Sequence, residues 1–296
     1  MVAQPSARSS VQSLSREQFH DVSYVEWGTD GTRGVVICVH GLTRQGRDFD
    51  FLAQRLANQG YRVVCPDIVG RGSSGQLVHG SDYDLDQYVL DLTVLMARLN
   101  VTEVNWVGTS LGGQIGILVA GLCNSPIRRL VVNDIGPNLP INAVLRIGNY
   151  VSNGPQRFPN LEAADAYFRE ILQPFGDLTD EQWHHLAEHS VKRDDTGQYV
   201  LRYDRRLTQG FKAPWHHRYR LWSAWDRITC PILVLRGADS DLLLPRTARE
   251  MLRRNELARL EVIEGCGHAP ALMDEQQISL VAEWIDAPLP KNMKVA

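Results

Sequence analysis

Short apolar runs rich in β-branched residues alternate with amphipathic stretches along most of the chain. The runs lie at 34–41, 61–67, 104–108, 127–134, 231–237 and 259–265. Such runs are typical of strands that are buried on both faces. The stretches 47–60 and 84–100 repeat apolar residues at helical spacing, and the first of them ends on a glycine. This alternation predicts an α/β fold with a mostly parallel sheet that is covered by helices on both faces.

Three regions interrupt this pattern. Residues 1–17 are polar and rich in serine, so we expect a flexible N-terminal tail. Residues 18–34 predict two strands and a Gly-rich turn at an antiparallel edge of the sheet. Residues 137–226 show helical patterns without convincing strands, and Thr179 precedes one helix as an N-cap. The predicted core is therefore 18–136 with 227–290, and 137–226 is a helical cap inserted into it.

The predicted cap contains many aromatic residues. An insertion of this kind between two strands is expected to cover the carboxyl edge of the sheet. Several of the rings would then contact a substrate while others attach the cap to the core. The rings belong to Tyr150, Phe158, Tyr167, Phe168, Phe175, Trp183, Phe211, Trp215, Tyr219, Trp222 and Trp225.

Composition narrows the classes of function. The chain has 296 residues and a formal net charge of −3, with acidic and basic residues interspersed. This distribution argues against binding to nucleic acid or to an anionic membrane and favours a small-molecule partner. The polar start, the absence of a long apolar run and five scattered cysteines without metal-ligand spacing predict a cytoplasmic protein with free thiols. The oligomeric state is not indicated by the sequence.

A serine stands between glycines at the end of the third strand run. Gly108, Ser110 and Gly112 form G-x-S-x-G directly before an apolar helical stretch. In a sharp strand-to-helix turn, small residues two positions before and after the serine allow close backbone packing and expose the hydroxyl. The pattern therefore predicts that Ser110 is a nucleophile.

A serine hydroxyl stays protonated near neutral pH, so it needs a base within hydrogen-bond distance. His268 lies in the loop GCGHAP after the last strand run. An imidazole in this role is oriented by a carboxylate, and RGADSDLLLP after the preceding run supplies Asp239 and Asp241. All of these residues follow strands, where open α/β sheets bind their ligands. The order Ser, Asp, His predicts a catalytic triad.

With these motifs the chain resembles the α/β-hydrolase family from about residue 20 to residue 285. The resemblance implies that His40 and Gly41 open an oxyanion loop and that the backbone amide of Leu42 donates to the oxyanion. It also implies that the second amide is that of Leu111, directly after the nucleophile. The stretch CPDIVGRGSSG at 65–75 matches a further motif of the family.

The resemblance also guides the choice of the triad acid. Family members usually place this aspartate four residues before a proline that begins a helix, and Asp241 stands in this relation to Pro245. We therefore expect Asp241 to be the acid. Asp239 remains an alternative because one extra residue follows Gly237, and Asp134 remains another because some relatives place the acid after the sixth strand.

Two further motifs allow more than one interpretation. His185, Glu188 and His189 spell H-x-x-E-H, a zinc-protease pattern, although three histidines in WHHLAEHS also suit a polar helix face. A zinc hydrolase is therefore a remote alternative. Arg44 and Gln45 border the oxyanion loop, where contact with the substrate and a structural role are both open. His40 is expected to be structural.

The sequence thus predicts a serine hydrolase that cleaves carboxylic esters of small to medium apolar acyl groups through an acyl-enzyme. It predicts no metal and no organic cofactor. A carbon-carbon bond hydrolase or a lactonase on the same triad is an alternative, and so is a small-molecule receptor with a slow triad. The natural ester substrate depends on cap side chains, whose arrangement the sequence does not give.

Overall fold

An eight-stranded sheet forms the centre of the protein. The computed structural model describes residues 3–212 and 214–289, and all side chains among them except those of 210–219. The strands are β1 Ala7–Leu14, β2 Phe19–Trp27, β3 Val35–Val39, β4 Arg62–Pro66, β5 Val104–Thr109, β6 Ile127–Asn133, β7 Arg157–Phe158, β8 Val191–Arg193, β9 Tyr199–Leu201, β10 Ile232–Gly237 and β11 Ala258–Ile263. The central sheet has the order β1-β2-β4-β3-β5-β6-β10-β11, and neighbours from β4 onward are parallel. The predicted mostly parallel α/β fold is confirmed.

Helices cover both faces of this sheet. The helices of the described residues are α1 Asp50–Asn58, α2 Leu85–Leu99, α3 Leu111–Ala120, α4 Ile141–Asn153, α5 Leu161–Ile171, α6 Asp180–Ser190, α7 Pro214–Trp225, α8 Pro245–Arg254 and α9 Glu275–Asp286. Of these, α5 and α6 pack against each other in the insertion between β6 and β10 and not on the sheet. Alternate residues of a strand point to opposite faces. In β3, Val36 and Cys38 therefore join the core beneath α1 and α9. Ile37 and Val39 join the core beneath α2 and α3. Among the described residues, no helix combines the length and apolar character needed to span a bilayer.

The N-terminal segment forms an edge strand, so the prediction of a flexible tail over residues 1–17 is wrong for residues 7–14. β1 pairs with β2 in an antiparallel register from Ala7 opposite Glu26 to Leu14 opposite Phe19. The side of β1 that faces the protein makes a polar contact, since the Ser13 hydroxyl donates to buried Asp91 on α2 at 2.6 Å. A polar edge strand gives no apolar run. Only one strand, β2, forms within 18–34, where two were predicted.

The insertion between β6 and β10 carries its own small core. Phe158, Phe168, Trp183 and Leu186 are buried together there. Thr179 begins α6 with a capping box, as its position before the helix predicts. The expectation of an insertion without strands is wrong, because β7, β9 and β8 form a three-stranded antiparallel sheet. These strands have two or three residues each, too few to show an alternating pattern.

Candidate active site

Ser110 lies in the sharp turn between β5 and α3. Its backbone angles are φ 54° and ψ −114°, a strained combination for a residue with a side chain. A Cβ on Gly108 would lie 2.3 Å from the carbonyl oxygen of Gly112, and one on Gly112 would lie 2.0 Å from that of Val39. Both glycines are therefore required by backbone packing, as the G-x-S-x-G pattern predicts.

Ser110, His268 and Asp134 form one hydrogen-bonded chain. His268 Nε2 is 2.9 Å from Ser110 Oγ, and His268 Nδ1 is 2.8 Å from Asp134 Oδ2. Asp134 has no exposed surface, and it follows directly on the carboxyl end of β6. An imidazole whose Nδ1–H donates to a carboxylate presents its Nε2 lone pair to the serine hydroxyl. This geometry suits general-base activation of Ser110.

Asp241 does not contact His268, so the expected pairing of these two residues is not formed. Its carboxylate is half-exposed and forms a bidentate ion pair with Arg146 on α4, with distances of 2.8 and 2.9 Å. Asp239 is also exposed. β6 and β10 are neighbours in the sheet, with Asn133 opposite Leu235. A carboxylate at either strand end therefore lies at the same edge, and Asp134 takes the position expected of Asp241.

The loop after β10 still contributes to the site through Ser240. The Ser240 hydroxyl donates to Asp134 Oδ2 at 2.6 Å, while Oδ1 accepts from the backbone N–H of Gly237 at 2.8 Å. The backbone N–H groups of Leu242 and Leu243 in turn donate to Ser240 Oγ. The carboxylate is therefore held in place by three donors including His268.

Asn133 connects the turn that carries Ser110 to the loop that carries His268. Its carbonyl oxygen accepts from the backbone N–H of Ser110 at 2.9 Å. Its buried amide donates to Thr109 Oγ1 at 3.0 Å and to the carbonyl oxygen of Pro270 at 2.8 Å. Sequence reasoning missed both Asn133 and Ser240. The dipeptide Asn-Asp at the end of a strand run was the available signal for the first.

The resemblance implies that the backbone amides of Leu42 and Leu111 donate hydrogen bonds to an oxyanion. Within the described part of the chain neither N–H donates to another group. The backbone N–H of Gly112 donates to the His40 carbonyl at 3.2 Å, which holds the loop of Leu42 against the start of α3. The amino end of α3 adds a positive dipole at this point. These amides are available to an anionic oxygen.

His40 is structural, in agreement with its expected role. Its Nδ1–H donates to the Gly41 carbonyl at 2.7 Å, and its Nε2 accepts from the backbone N–H of Ile68 at 2.9 Å. Complete burial lowers the pKa of His40 to about 3, so the ring is neutral near pH 7. Arg71 supports the same loop, because its Nε donates to the Leu42 carbonyl at 2.8 Å.

A small cavity of about 20 Å³ lies between the loop after β3 and the insertion, and Thr109, the residue before Ser110, is part of its wall. Its lining residues are His40, Gly41, Arg44, Asp48, Phe49, Thr109, Phe175, Leu186, Pro270 and Ala271. The walls are mostly apolar, and Arg44 and Asp48 supply charged groups. In this state the cavity has room for little more than one water-sized group.

The aromatic residues of the cap divide between several environments. Phe175 lines the cavity beside Ser110. Phe158, Phe168 and Trp183 are buried in the cap core, and Trp225 is buried beneath the sheet. The side chains of three of the expected contact residues lie outside the described part: Phe211, Trp215 and Tyr219.

The H-x-x-E-H residues lie on α6, where two of them join the cap to the core. His185 Nε2 donates to the Arg47 carbonyl at 2.9 Å, and the Arg47 guanidinium bonds the buried carboxylate of Asp50 at 2.6 Å. Asp50, His185 and His189 bring donor atoms within 4.8 Å of one another, while Glu188 is exposed. The guanidinium on Asp50 opposes a further cation there, and the Glu188 carboxylate is not part of this group of donor atoms.

Comparison with known proteins agrees with this architecture. A model of the alpha/beta hydrolase family matches residues 36–284. The 3-hydroxybutyrate-oligomer hydrolase of Cupriavidus necator is 42% identical over 282 residues, covering 93% of this chain and 96% of its own. A solved putative hydrolase from Rickettsia typhi superposes with a TM-score of 0.86 at 30% identity, over 95% of this chain and 99% of that one.

A second solved structure gives the same result. An alpha/beta hydrolase from Novosphingobium aromaticivorans superposes with a TM-score of 0.83 at 31% identity, over 94% of this chain and 98% of that one. The family match begins at β3 and ends within α9, so it includes the whole parallel part of the sheet. The chain belongs to the alpha/beta hydrolase family.

Proposed function

We propose that the protein is a serine esterase that hydrolyses oligomeric esters of short 3-hydroxyacids, such as 3-hydroxybutyrate. The hydrogen-bonded chain of Ser110, His268 and Asp134 carries the proposal that it is a serine esterase. The substrate class is supported by the similarity to the 3-hydroxybutyrate-oligomer hydrolase and by the small, mostly apolar cavity beside Ser110.

The reaction begins with attack of Ser110 Oγ on the ester carbonyl carbon. His268 Nε2 takes the hydroxyl proton as the new C–O bond forms, and Asp134 stabilises the resulting imidazolium. The carbonyl oxygen becomes an oxyanion, which accepts hydrogen bonds from the amides of Leu42 and Leu111. Two donors fixed in advance stabilise this charge without reorganisation, each by about 3 kcal/mol in the transition state.

The tetrahedral intermediate then collapses and the bond to the leaving alcohol breaks. The imidazolium of His268 gives its proton to the alkoxide, which leaves as the alcohol, and the acyl group remains on Ser110. Water enters, loses a proton to His268 and attacks the acyl carbonyl carbon through a second oxyanion. Collapse of this intermediate breaks the bond to Ser110 Oγ, which takes the proton back, and releases the acid. The net reaction consumes one water and forms one acid and one alcohol.

The test is hydrolysis of 3-hydroxybutyrate dimer and trimer by the native protein and by Ser110→Ala. We expect 3-hydroxybutyrate as the product, and a loss of about 10⁴-fold or more in kcat for the variant. Equal rates for the two proteins would contradict the nucleophile. Turnover of simple esters but not of the oligomers would contradict the substrate class alone, and would direct attention to lactones or carbon-carbon bond substrates.

A further inference from the structure

The cavity beside Ser110 combines an apolar wall with one charged pair. Phe49, Phe175 and Leu186 line it with rings and methyl groups. Arg44 and Asp48 line it as well, although a plain alkyl chain would gain nothing from charged groups. A polar pair in an apolar pocket usually fixes a specific polar group of the ligand.

The pair is rigid. Arg44 Nε and Nη2 donate to the two carboxylate oxygens of Asp48 at 2.7 and 2.9 Å, and Gln45 Nε2 donates to the same carboxylate at 3.0 Å. The Arg44 guanidinium lies 5.5 Å from the ring centroid of Phe168 in the cap. Only 6% of the Arg44 side chain and 14% of the Asp48 side chain are exposed. Such a pair keeps its geometry when a ligand enters.

One donor of this pair remains available. Within the described residues Arg44 Nη1 has no hydrogen-bond partner, and it does not belong to the side-chain atoms that are both buried and unpaired. It therefore still has access to space that a ligand or water fills. The Asp48 carboxylate has lone pairs beyond the three hydrogen bonds that it accepts. The pair can thus donate one hydrogen bond and accept another.

The pair lies close to the nucleophile. A Cβ built on Gly41 would be 3.6 Å from Ser110 Cβ and 3.7 Å from Arg44 Cγ, so a single glycine separates the two side chains. The Arg44 backbone N–H donates to the Gly41 carbonyl at 3.2 Å, which fixes the turn between them. The Arg44 side chain therefore starts next to Ser110 and lines the adjoining cavity.

The charges of Arg44 and Asp48 determine which chemical group of a ligand the pair can bind. The guanidinium is already neutralised by Asp48, and a substrate carboxylate would be repelled by that same carboxylate. A neutral hydroxyl fits better, because it accepts from a guanidinium and donates to a carboxylate at once. We propose that Arg44 and Asp48 bind the 3-hydroxyl of the acyl group that is transferred to Ser110. The inference rests on the proposed esterase function and identifies two specificity residues.

The proposed contact also determines the order in which an oligomer is cleaved. In a 3-hydroxyacid oligomer only the terminal unit carries a free 3-hydroxyl, since every other 3-oxygen is esterified. An esterified 3-oxygen has no proton to donate to Asp48, so only the terminal unit can make both hydrogen bonds of the proposed contact. The enzyme therefore releases single 3-hydroxyacids from the hydroxyl end of the chain.

The experiment compares p-nitrophenyl butyrate, 3-hydroxybutyrate and 3-methoxybutyrate, with each kcat/KM divided by the rate of hydroxide-catalysed hydrolysis. For the native protein we expect the 3-hydroxybutyrate ester to exceed the butyrate ester by about 10-fold or more, the range of a hydrogen bond to a charged group. The methoxy ester, which lacks the hydroxyl proton and is larger, should not exceed butyrate.

The variants separate recognition from folding. The double variant Arg44→Met with Asp48→Leu removes both charges and leaves neither buried alone, so the ratio of its kcat/KM for the 3-hydroxybutyrate ester to that for the butyrate ester should fall to about one, whatever the absolute rates. Arg44→Lys keeps the charge but loses the fork, and should lower the preference several-fold. Arg146→Met, in the exposed pair with Asp241, is the matched control and should keep the native preference.

The outcomes are distinct. A native preference near one, with butyrate hydrolysed, would overturn this inference and leave the esterase proposal standing. A preference that persists in both Arg44→Lys and the double variant would overturn it as well. If the native protein hydrolysed none of the three esters, the proposed function would fail, and this inference with it.

Discussion

Replacing Asp134 by Asn tests which carboxylate orients His268. The carboxylate is fully buried and accepts from Gly237, Ser240 and His268 at 2.6 to 2.8 Å. An asparagine has one carbonyl oxygen in place of the two carboxylate oxygens, so its NH₂ group must face either the backbone N–H of Gly237 or the side chains of Ser240 and His268. The first orientation sets two donors against each other, which favours the second. Facing His268, it would donate to Nδ1 and place the ring proton on Nε2, where the imidazole cannot accept the proton of the serine.

The size of the effect follows from this change of tautomer. Loss of the correct tautomer in a serine triad costs about 10⁴-fold in kcat, which corresponds to about 5 kcal/mol of transition-state stabilisation. The half-exposed ion pair of Asp241 with Arg146 contributes about 0 to 1 kcal/mol to the free energy of unfolding. It has no contact with the imidazole of His268. We therefore expect Asp241→Asn to keep kcat within about threefold of the native value.

The assay is hydrolysis of p-nitrophenyl butyrate by the two variants and the native protein. Circular dichroism and thermal unfolding show whether each variant is folded. A folded Asp134→Asn protein with native kcat would refute the reasoning. Loss of activity in Asp241→Asn, with activity retained in Asp134→Asn, would identify Asp241, in the loop after β10, as the triad acid.

Three further outcomes are expected. Because burial lowers the pKa of His40 to about 3 from 6.5, the unfolded chain binds a proton that the folded chain excludes below pH 6.5. The free energy of unfolding, measured with urea, should then fall by about 1.4 kcal/mol per pH unit from this group between about pH 6 and pH 4, and no fall would contradict the neutral ring. Ser240→Ala removes a 2.6 Å hydrogen bond to Asp134 and should lower kcat about tenfold, whereas Asp239→Asn should not. Given the small cavity beside Ser110, kcat/KM for p-nitrophenyl esters should decrease from butyrate to dodecanoate, and a long-chain optimum would disprove the size argument.

The sequence predicted the parallel part of the fold because its signal is local. Each of the six apolar runs became a strand, and the family, the fold and the hydrolase class drawn from the motifs are confirmed. The sequence did not predict β1, because polar residues lie on both of its faces and give no alternation of apolar and polar positions. The strand is stabilised by pairing with β2 and by the contact of Ser13 with Asp91. The cap strands were too short to be predicted.

The site was predicted in part for a similar reason. The positions of Ser110 and His268 follow from local motifs, whereas the choice of acid depends on which strand ends are neighbours. β6 and β10 are adjacent although almost 100 residues separate them in the chain, and the insertion between them hides this adjacency. The bond of Ser240 to Asp134 depends on the same long-range contact.

The measurement that tests the central claim most directly is labelling with an organophosphonate, followed by mass spectrometry of the intact protein and its peptides. The phosphonate forms a covalent adduct only with a serine that is activated by its base and oxyanion donors. We predict one adduct per chain, located on the peptide that contains Ser110, no adduct in Ser110→Ala, and labelling slowed by several orders of magnitude in Asp134→Asn. An adduct on another residue, or none in a folded native protein, would contradict the account.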